Sequence, residues 1–405
     1  MLNEKLKMDF PIFEKNPSLI YLNNAATTLK PRQVIEAINQ YYKEISANTG
    51  RGSHKLSTDA TICVEETRNK TASLINAKEN EIAFTKNTTE SINTIAVSLE
   101  RAEKIKEGDE IILSFAEHHA NILPWTELAK RIGAKIKVVK LKQNFTFDLE
   151  DFRNKISRKT KLVSVAGITN TTGSIFPIKE ITKTAHDFGA LVSIDGAQLI
   201  PHTKIDSKKI GFDFLSFSAH KMLGPTGLGV LFAKEEIVKN LNPYNFGGGI
   251  IKSVSFDKVE YVDDAKKFEA GTLQIGEIYG FKETLAYLKK IGLENIEEHD
   301  KSLLDFAIAK LTNIEDIVIY GPKDEKLQSG IILFEIKNVD SGDLAIALSE
   351  YKNIAVRSGF MCAEPIIRNI NPNGLCRASF YIYNNKKDIE TLAETIQELS
   401  KGLRK

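Results

Sequence analysis

Three residues of this chain have the type and the setting for covalent chemistry. Lys221 follows Ser218 and His220 at the end of the apolar run DFLSF, just before the glycine-rich turn GPTG and a second apolar run, LGVLFA. A lysine held between two predicted strands can lose basicity through burial and become a nucleophilic amine. Asp195 closes another apolar run, in ALVSIDGAQ. Schiff-base chemistry on a pyridine ring needs this pair: an amine to link the ring and an acid to face its nitrogen. Cys362 lies after a predicted strand, between Gly359 and Pro365, with Arg377 fifteen residues further on. A thiol in an accessible loop can act as a thiolate nucleophile. Each residue alone has an ordinary explanation, since loop lysines are mostly solvated, aspartates after strands are mostly caps and lone cysteines are mostly small buried apolar groups. Their weight comes from the elements around them.

Those elements alternate. EIAFTKNTTESIN reads as a strand, a turn at Asn87-Thr88-Thr89 and a helix from near Glu90. Hydroxyls at such a helix start suit an anion, because unpaired N–H groups and the dipole point there. GDEIILS is a strand ending in AEHHANILPW, which puts His118 and His119 at a strand-to-helix junction. With no third metal ligand at useful spacing, one imidazole stacked on a flat cofactor is the economical reading. TKLVSVAGITNTTG is a buried strand followed by Asn170, and helices run over 149–156 and up to Phe188. Strands separated by helices imply an α/β fold, a mainly parallel sheet with helices on both faces. Ligands bind outside the carboxyl ends of such strands, where Asn87, His118, Asn170 and Asp195 all fall.

Elsewhere the signals are plainer. Pro31 opens a helix to about 45; NTGRGSHKLS is a loop whose Arg51 and His54 could reach a ligand; Ser57 or Thr58 caps the next helix. Past Ala233 the alternation breaks. NFGGGIIKSV and FEAGTLQIG read as loops, a long helical stretch begins near 283, and short strands and helices then suggest a separate α+β domain.

Composition narrows the function. The chain has 405 residues, 42% hydrophobic and 27% charged, enough for two domains. Its 55 basic and 53 acidic residues leave a net charge of +2, which gives no support to nucleic-acid or membrane-surface binding. No apolar run approaches the ~20 residues of a membrane span. The start, MLNEKLKMDFPIFEKN, lacks a signal-peptide core, so a cytoplasmic location is expected. Cys63, Cys362 and Cys376 are too few for a disulfide framework and fit no zinc spacing.

Taken together, YLNNAATTLKP, RGSHKLS, FTKNTTESIN, AEHHANILPW, ITNTTG, IDGAQ, FSAHKMLGPTGLGVL, GGG, FEAGT, VRSG..CA and CRASFYIYN resemble the cysteine desulfurases of the class V aminotransferase superfamily, specifically the SufS-like group that includes selenocysteine lyases. The match runs in order over about residues 20–385. It implies the type I fold of enzymes dependent on pyridoxal 5′-phosphate (PLP), with a mainly parallel seven-stranded sheet in a large domain (21–282). A smaller α+β domain (283–405) would carry the cysteine loop, and a segment (1–20) would pack on it.

The resemblance also implies roles. Lys221 would carry the cofactor, Asp195 would face its ring nitrogen, and His118 would stack on the ring. Gln198 would touch the phenolic oxygen, and Asn170 the cofactor or the substrate carboxylate. Thr88, Thr89, Ser218 and His220 would bind the phosphate, with Thr272 reaching over from a partner subunit. Arg377 would grip the substrate carboxylate, a bidentate task suited to guanidinium, with Arg357 and His54 also on the substrate side. Cys362 would take sulfur from L-cysteine as a persulfide, leaving alanine, for iron–sulfur cluster assembly. An ordinary thiol is only a few per cent thiolate near neutral pH, so something must activate it.

Two departures stand out. Phe360 and Met361 occupy positions where many relatives carry histidine, and Leu273-Gln274 replaces a common Pro-Asn. The short Cys362–Arg377 spacing excludes a long mobile cysteine loop and implies a dedicated acceptor of the SufE or SufU type, or a cluster scaffold. Alternatives on the same fold are selenocysteine lyase, cysteine sulfinate desulfinase, another class V enzyme such as an aminotransferase, or a scaffold without cofactor.

Overall fold

The structure, a computed structural model, describes residues 2, 4–50 and 52–402. Its centre is a seven-stranded sheet. The order is Ile82–Thr85, Gly229–Ala233, Phe214–Ser218, Leu191–Asp195, Thr160–Ala166, Glu110–Ser114 and Lys135–Val139. Only Gly229–Ala233 runs against its neighbours; the other pairings are parallel. The Thr160–Ala166, Leu191–Asp195 and Phe214–Ser218 strands are almost wholly buried, as expected for parallel strands with both faces covered. Their carboxyl ends bring Ala166, Asp195 and Ser218 to one rim.

A second sheet is antiparallel, in the order Ile317–Tyr320, Ile331–Ile336, Leu375–Ser379 and Arg357–Gly359. Arg377 sits on an inner strand of it, opposite Arg357. The start of the chain ties the two regions together. Ile20–Tyr21 pairs in parallel with Ile354–Ala355. Asn24 Nδ2 donates to the Ser379 carbonyl at 2.7 Å, and the Ala25 N–H to Ser379 Oγ at 2.9 Å. Thr28 N–H donates to the His220 carbonyl at 2.9 Å. The polar run NNAATT thus joins the Arg377 strand to the Lys221 turn.

Three local expectations are corrected. The long helix begins at Ile275, not near 283, because Ile275, Ile278, Phe281, Leu285 and Leu288 form one buried stripe of helical period. Ile251–Val254 is not loop but a strand of an antiparallel hairpin with Val259–Tyr261; almost every side chain in it is exposed, so no alternation announced it. The helix Lys55–Leu74 is capped by neither Ser57 nor Thr58: His54 Nδ1 accepts from the Ser57 N–H at 3.3 Å.

Candidate active site

The strand Phe214–Ser218 runs into a single turn, Ala219–Lys221, pinned by the Ala219 N–H to the Leu228 carbonyl and by Met222 and Gly224 N–H groups to the Ala219 carbonyl. Lys30 Nζ and Thr28 Oγ1 donate to the His220 carbonyl at 2.9 and 3.1 Å. The backbone under Lys221 is therefore fixed before any ligand arrives. The residue as a whole is partly exposed, and burial of its amine lowers its pKa against the opposing pull of Asp195. Asp195 is buried at the end of the neighbouring strand, and its Oδ1 accepts the Ala197 N–H at 2.9 Å. Burial raises this carboxyl, and a cation set against it would hold it ionised.

Both residues line a cavity of about 300 Å³, shared with Thr88, Thr89, His118, Asn170, Gln198, Ser218, His220, Arg357, Cys362 and Arg377. Twelve of the fourteen residues expected from sequence are thus brought together. At one end stands the start of the helix Thr88–Arg101. Its cap is Asn87, whose Oδ1 accepts the Glu90 N–H at 2.9 Å, so Thr88 and Thr89 are left in its first turn. Thr88 Oγ1 meets Ser218 Oγ at 2.7 Å. Hydroxyls and a helix start together form an anion cradle. Gly229 makes it possible: a Cβ there would stand 2.5 Å from the Asn87 Cα.

His118 lies on the cavity wall. Its Nδ1 accepts the Ala120 N–H at 3.0 Å, which places the ring hydrogen on Nε2. Burial first, then the Lys221 charge, lowers its pKa to about 3, so the ring is neutral and able to lie against a flat aromatic group. His220 is lowered to about 4 for the same reasons. Gln198 Nε2 is held by the Ala25 carbonyl at 2.7 Å.

The opposite end is made for a carboxylate. Arg377 is buried, with one nitrogen on the Asn170 carbonyl at 2.7 Å and another 3.4 Å from Asn23 Oδ1, while its Nε has no partner. Asn170 Oδ1 is likewise buried without a partner, though its Nδ2 donates to the Met361 carbonyl at 2.8 Å. Burial, with Arg357 alongside, lowers Arg377 to about 10, still cationic at neutral pH. Orphaned buried polar atoms of this kind call for a polar ligand. They fit an amino-acid substrate, just as Lys221, Asp195 and the hydroxyl cradle fit PLP.

Cys362 is exposed at the cavity mouth, unlike Cys63 and Cys376, which are buried. Its turn is strained. Met361 and Cys362 have φ of +49° and +54°, after Gly359 at +89°. Each left-handed non-glycine residue costs roughly 1–2 kcal/mol, so the surroundings must hold the turn in shape. Both Lys221 and Arg377 are close enough to interact electrostatically with the thiol.

Two expected residues lie elsewhere. His54 is committed to its helix cap, outside the cavity. Thr272 borders a separate depression with Asn48, Arg68, Gly248 and Glu269; the buried Arg68–Glu269 pair, at 2.6 and 3.0 Å, holds that loop away from this chain's cavity. Arg51 lies outside the described residues.

The sequence reading also missed Glu117. It is fully buried beneath His118 and accepts from Ser114 Oγ, from Asn121 Nδ2 at 2.7 Å and from the Ala166 N–H at 3.1 Å. It clips together the ends of two strands that carry site residues. An acid inside the otherwise apolar run SFAE was the available signal. Burial raises its pKa to about 7. The native carboxyl therefore keeps its proton where an unfolded one, with the ordinary glutamate value, has lost it. Stability from this group is complete below the unfolded value and is lost as pH rises through about 7. Unfolding midpoints in urea, compared for wild type and Glu117→Gln from pH 5 to 8, should shift in favour of glutamine as pH rises. A difference that stays constant with pH contradicts the assignment.

The geometry is that of a lysine- and aspartate-based cofactor enzyme, and comparison with known proteins places it. The family described as Aminotransferase class-V matches residues 20–392, and the chain belongs to that family. A "Probable cysteine desulfurase" of Halalkalibacterium halodurans is 40% identical over 398 residues, covering 97% of both chains. One from Staphylococcus aureus is 41% identical, covering 98% of this chain and 96% of the other. Among solved structures, the apo cysteine desulfurase of Thermococcus onnurineus superposes with a TM-score of 0.94 at 38% identity, covering 100% of this chain and 99% of the other. The cysteine desulfurase CsdA of Escherichia coli, in its S-sulfonic acid form, gives 0.91 at 32%, with full coverage of both chains. Among the described residues no helix is long and apolar enough to cross a membrane.

Proposed function

We infer that this chain is a PLP-dependent cysteine desulfurase, which converts L-cysteine to L-alanine and keeps the sulfur as a persulfide on Cys362. The observation that carries this is one cavity with Lys221 and Asp195 at its floor, an arginine with an orphaned Nε at its side and an exposed cysteine at its mouth.

PLP, linked at Lys221, supplies an electron sink for the substrate's α-carbon. The chain's own residues do the rest. Thr88, Thr89, Ser218 and His220 would receive the phosphate, His118 would lie against the ring, and Asp195 would keep the ring nitrogen protonated. Arg377 and Asn170 take the substrate carboxylate. Lys221, lowered by burial, is the base that moves the α-proton. The Cys362 thiolate attacks the substrate sulfur. A sulfur–sulfur bond forms as the bond from sulfur to the substrate's β-carbon breaks; its electron pair goes to that carbon, which takes up a proton to become the methyl group, and Lys221 returns a proton to the α-carbon to give alanine.

Thr272, outside this chain's own cavity, fits a homodimer in which each copy completes the other's phosphate site. The compact Cys362 turn fits delivery to a protein acceptor of the SufE or SufU type, with iron–sulfur cluster assembly as the use and the cytoplasm as the place.

L-Cysteine supplied with a reductant should give sulfide and alanine in equal amounts. The absence of both products from enzyme loaded with PLP would overturn the reading. Arg377→Ala should act mainly on binding. Hydrogen bonds to a charged group are worth about 1.5–3 kcal/mol, so the apparent KM for cysteine should rise on the order of 10- to 100-fold with a smaller change in kcat. An unchanged KM would contradict the carboxylate role.

A further inference from the structure

The second histidine of the pair has no place in the reaction described above, yet it holds the nucleophile's turn at two points. The His119 N–H donates to the Cys362 carbonyl at 2.7 Å. Its ring Nε2 stands 3.1 Å from the Glu364 backbone N–H. A backbone N–H only donates, so Nε2 must accept, and the neutral ring carries its hydrogen on Nδ1. His118, beside it, is held in the opposite tautomer by the Ala120 N–H on its own Nδ1. Two adjacent imidazoles are thus fixed in opposite senses, one toward the cofactor cavity and one toward the cysteine turn.

Between the two anchor points, the Cys362 carbonyl and the Glu364 N–H, lies Ala363, directly after the consecutive left-handed residues Met361 and Cys362. Other supports include the Asn170 Nδ2 bond to the Met361 carbonyl, the Ala363 N–H bond to the Phe360 carbonyl at 2.9 Å, the Ile367 N–H bond to the Ala363 carbonyl at 3.3 Å and the burial of Met361. A turn with this strain relaxes toward ordinary backbone angles when a support is removed. Phe360 and Met361 offer no side-chain hydrogen bond to replace one.

We propose that His119 is a positioning residue for sulfur transfer, a clamp whose ring nitrogen holds the Cys362 turn in the conformation that aims the thiol into the cavity. Its effect on turnover rests on the desulfurase reading; the clamp itself does not. Glutamine can present an acceptor near the place of Nε2, whereas asparagine reaches only as far as Nδ1 and alanine offers nothing.

The test uses His119→Gln, His119→Asn and His119→Ala in the PLP-loaded enzyme, with cofactor absorbance as the check on folding. Amide exchange in the peptide holding Glu364 should speed up about two- to tenfold in the asparagine and alanine variants, the factor carried by one neutral hydrogen bond, and should stay near wild type in the glutamine variant. The rate of iodoacetamide alkylation at Cys362 should change in the same order. Alanine formation from cysteine should lose roughly ten- to a hundredfold in kcat, with KM little changed and activity restored by glutamine. Wild-type exchange and alkylation in His119→Ala overturns the clamp. Faster exchange with undiminished kcat overturns its positioning role. If wild type itself makes no alanine, the functional reading fails, and exchange and alkylation still decide whether the clamp exists.

Discussion

Lys221→Ala is expected to make neither alanine nor sulfide from L-cysteine while remaining folded. The turn beneath it is held by backbone bonds from Ala219, Met222 and Gly224 and by Thr28 and Lys30 on the His220 carbonyl, none of which involves the lysine side chain. What disappears is an amine that burial has made less basic and that stands within electrostatic reach of Asp195, Arg377 and Cys362. Proton transfer by a placed base contributes roughly 10²–10⁴-fold, and the covalent hold on the cofactor goes with it. The measurement is alanine release, with the visible absorbance of the lysine-linked cofactor as the second readout. Alanine production near wild type would remove Lys221 from the reaction and with it the whole assignment.

Cys362→Ala is expected to abolish sulfide release from cysteine and leave the cofactor site intact. Cys362 is exposed at the cavity mouth, so alanine there empties no core, and its backbone bond to the His119 N–H does not need the thiol. Cofactor absorbance and the spectral response to added cysteine should persist, because Lys221, Asp195 and Arg377 are untouched. Selenocysteine and cysteine sulfinate, whose leaving groups depart without thiol attack, separate two enzymes. A variant that still releases alanine from them but not from cysteine is a desulfurase with broad chemistry. A variant that still makes alanine from cysteine at the wild-type rate assigns the sulfur step to another group.

The site was legible where side-chain type and strand ends coincide. Asp195 ends a buried strand, Asn170 and His118 each follow one, and a mainly parallel sheet collects such positions at one rim. The carboxylate role of Arg377 came only through the resemblance, since an arginine in a buried antiparallel strand looks like any other until the Asn170 carbonyl meets it. Glu117, and the contact that His119 makes, escaped for another reason. Their partners, the Ala166 N–H and the Glu364 N–H, lie 49 and 245 residues away, and backbone groups carry no sequence signature. The cap role of His54 was missed because the loop's basic residues suggested a ligand, while the nearer need was an unsatisfied helix start. The hairpin at Ile251–Val254 was unreadable because it buries too little to impose a pattern.

The contrast among the three thiols also sets how this protein ages. Burial raises the pKa of Cys63, and that of Cys376 to about 12, which keeps both protonated and slow to react with peroxide. Cys362 alone meets solvent. Oxidation should therefore begin there, and beyond the sulfenic acid its products resist ordinary reductants. Stored in air without substrate, the protein would keep its fold and its bound cofactor and lose its sulfur chemistry, with the oxygen added to cysteine confined to the Cys362 peptide.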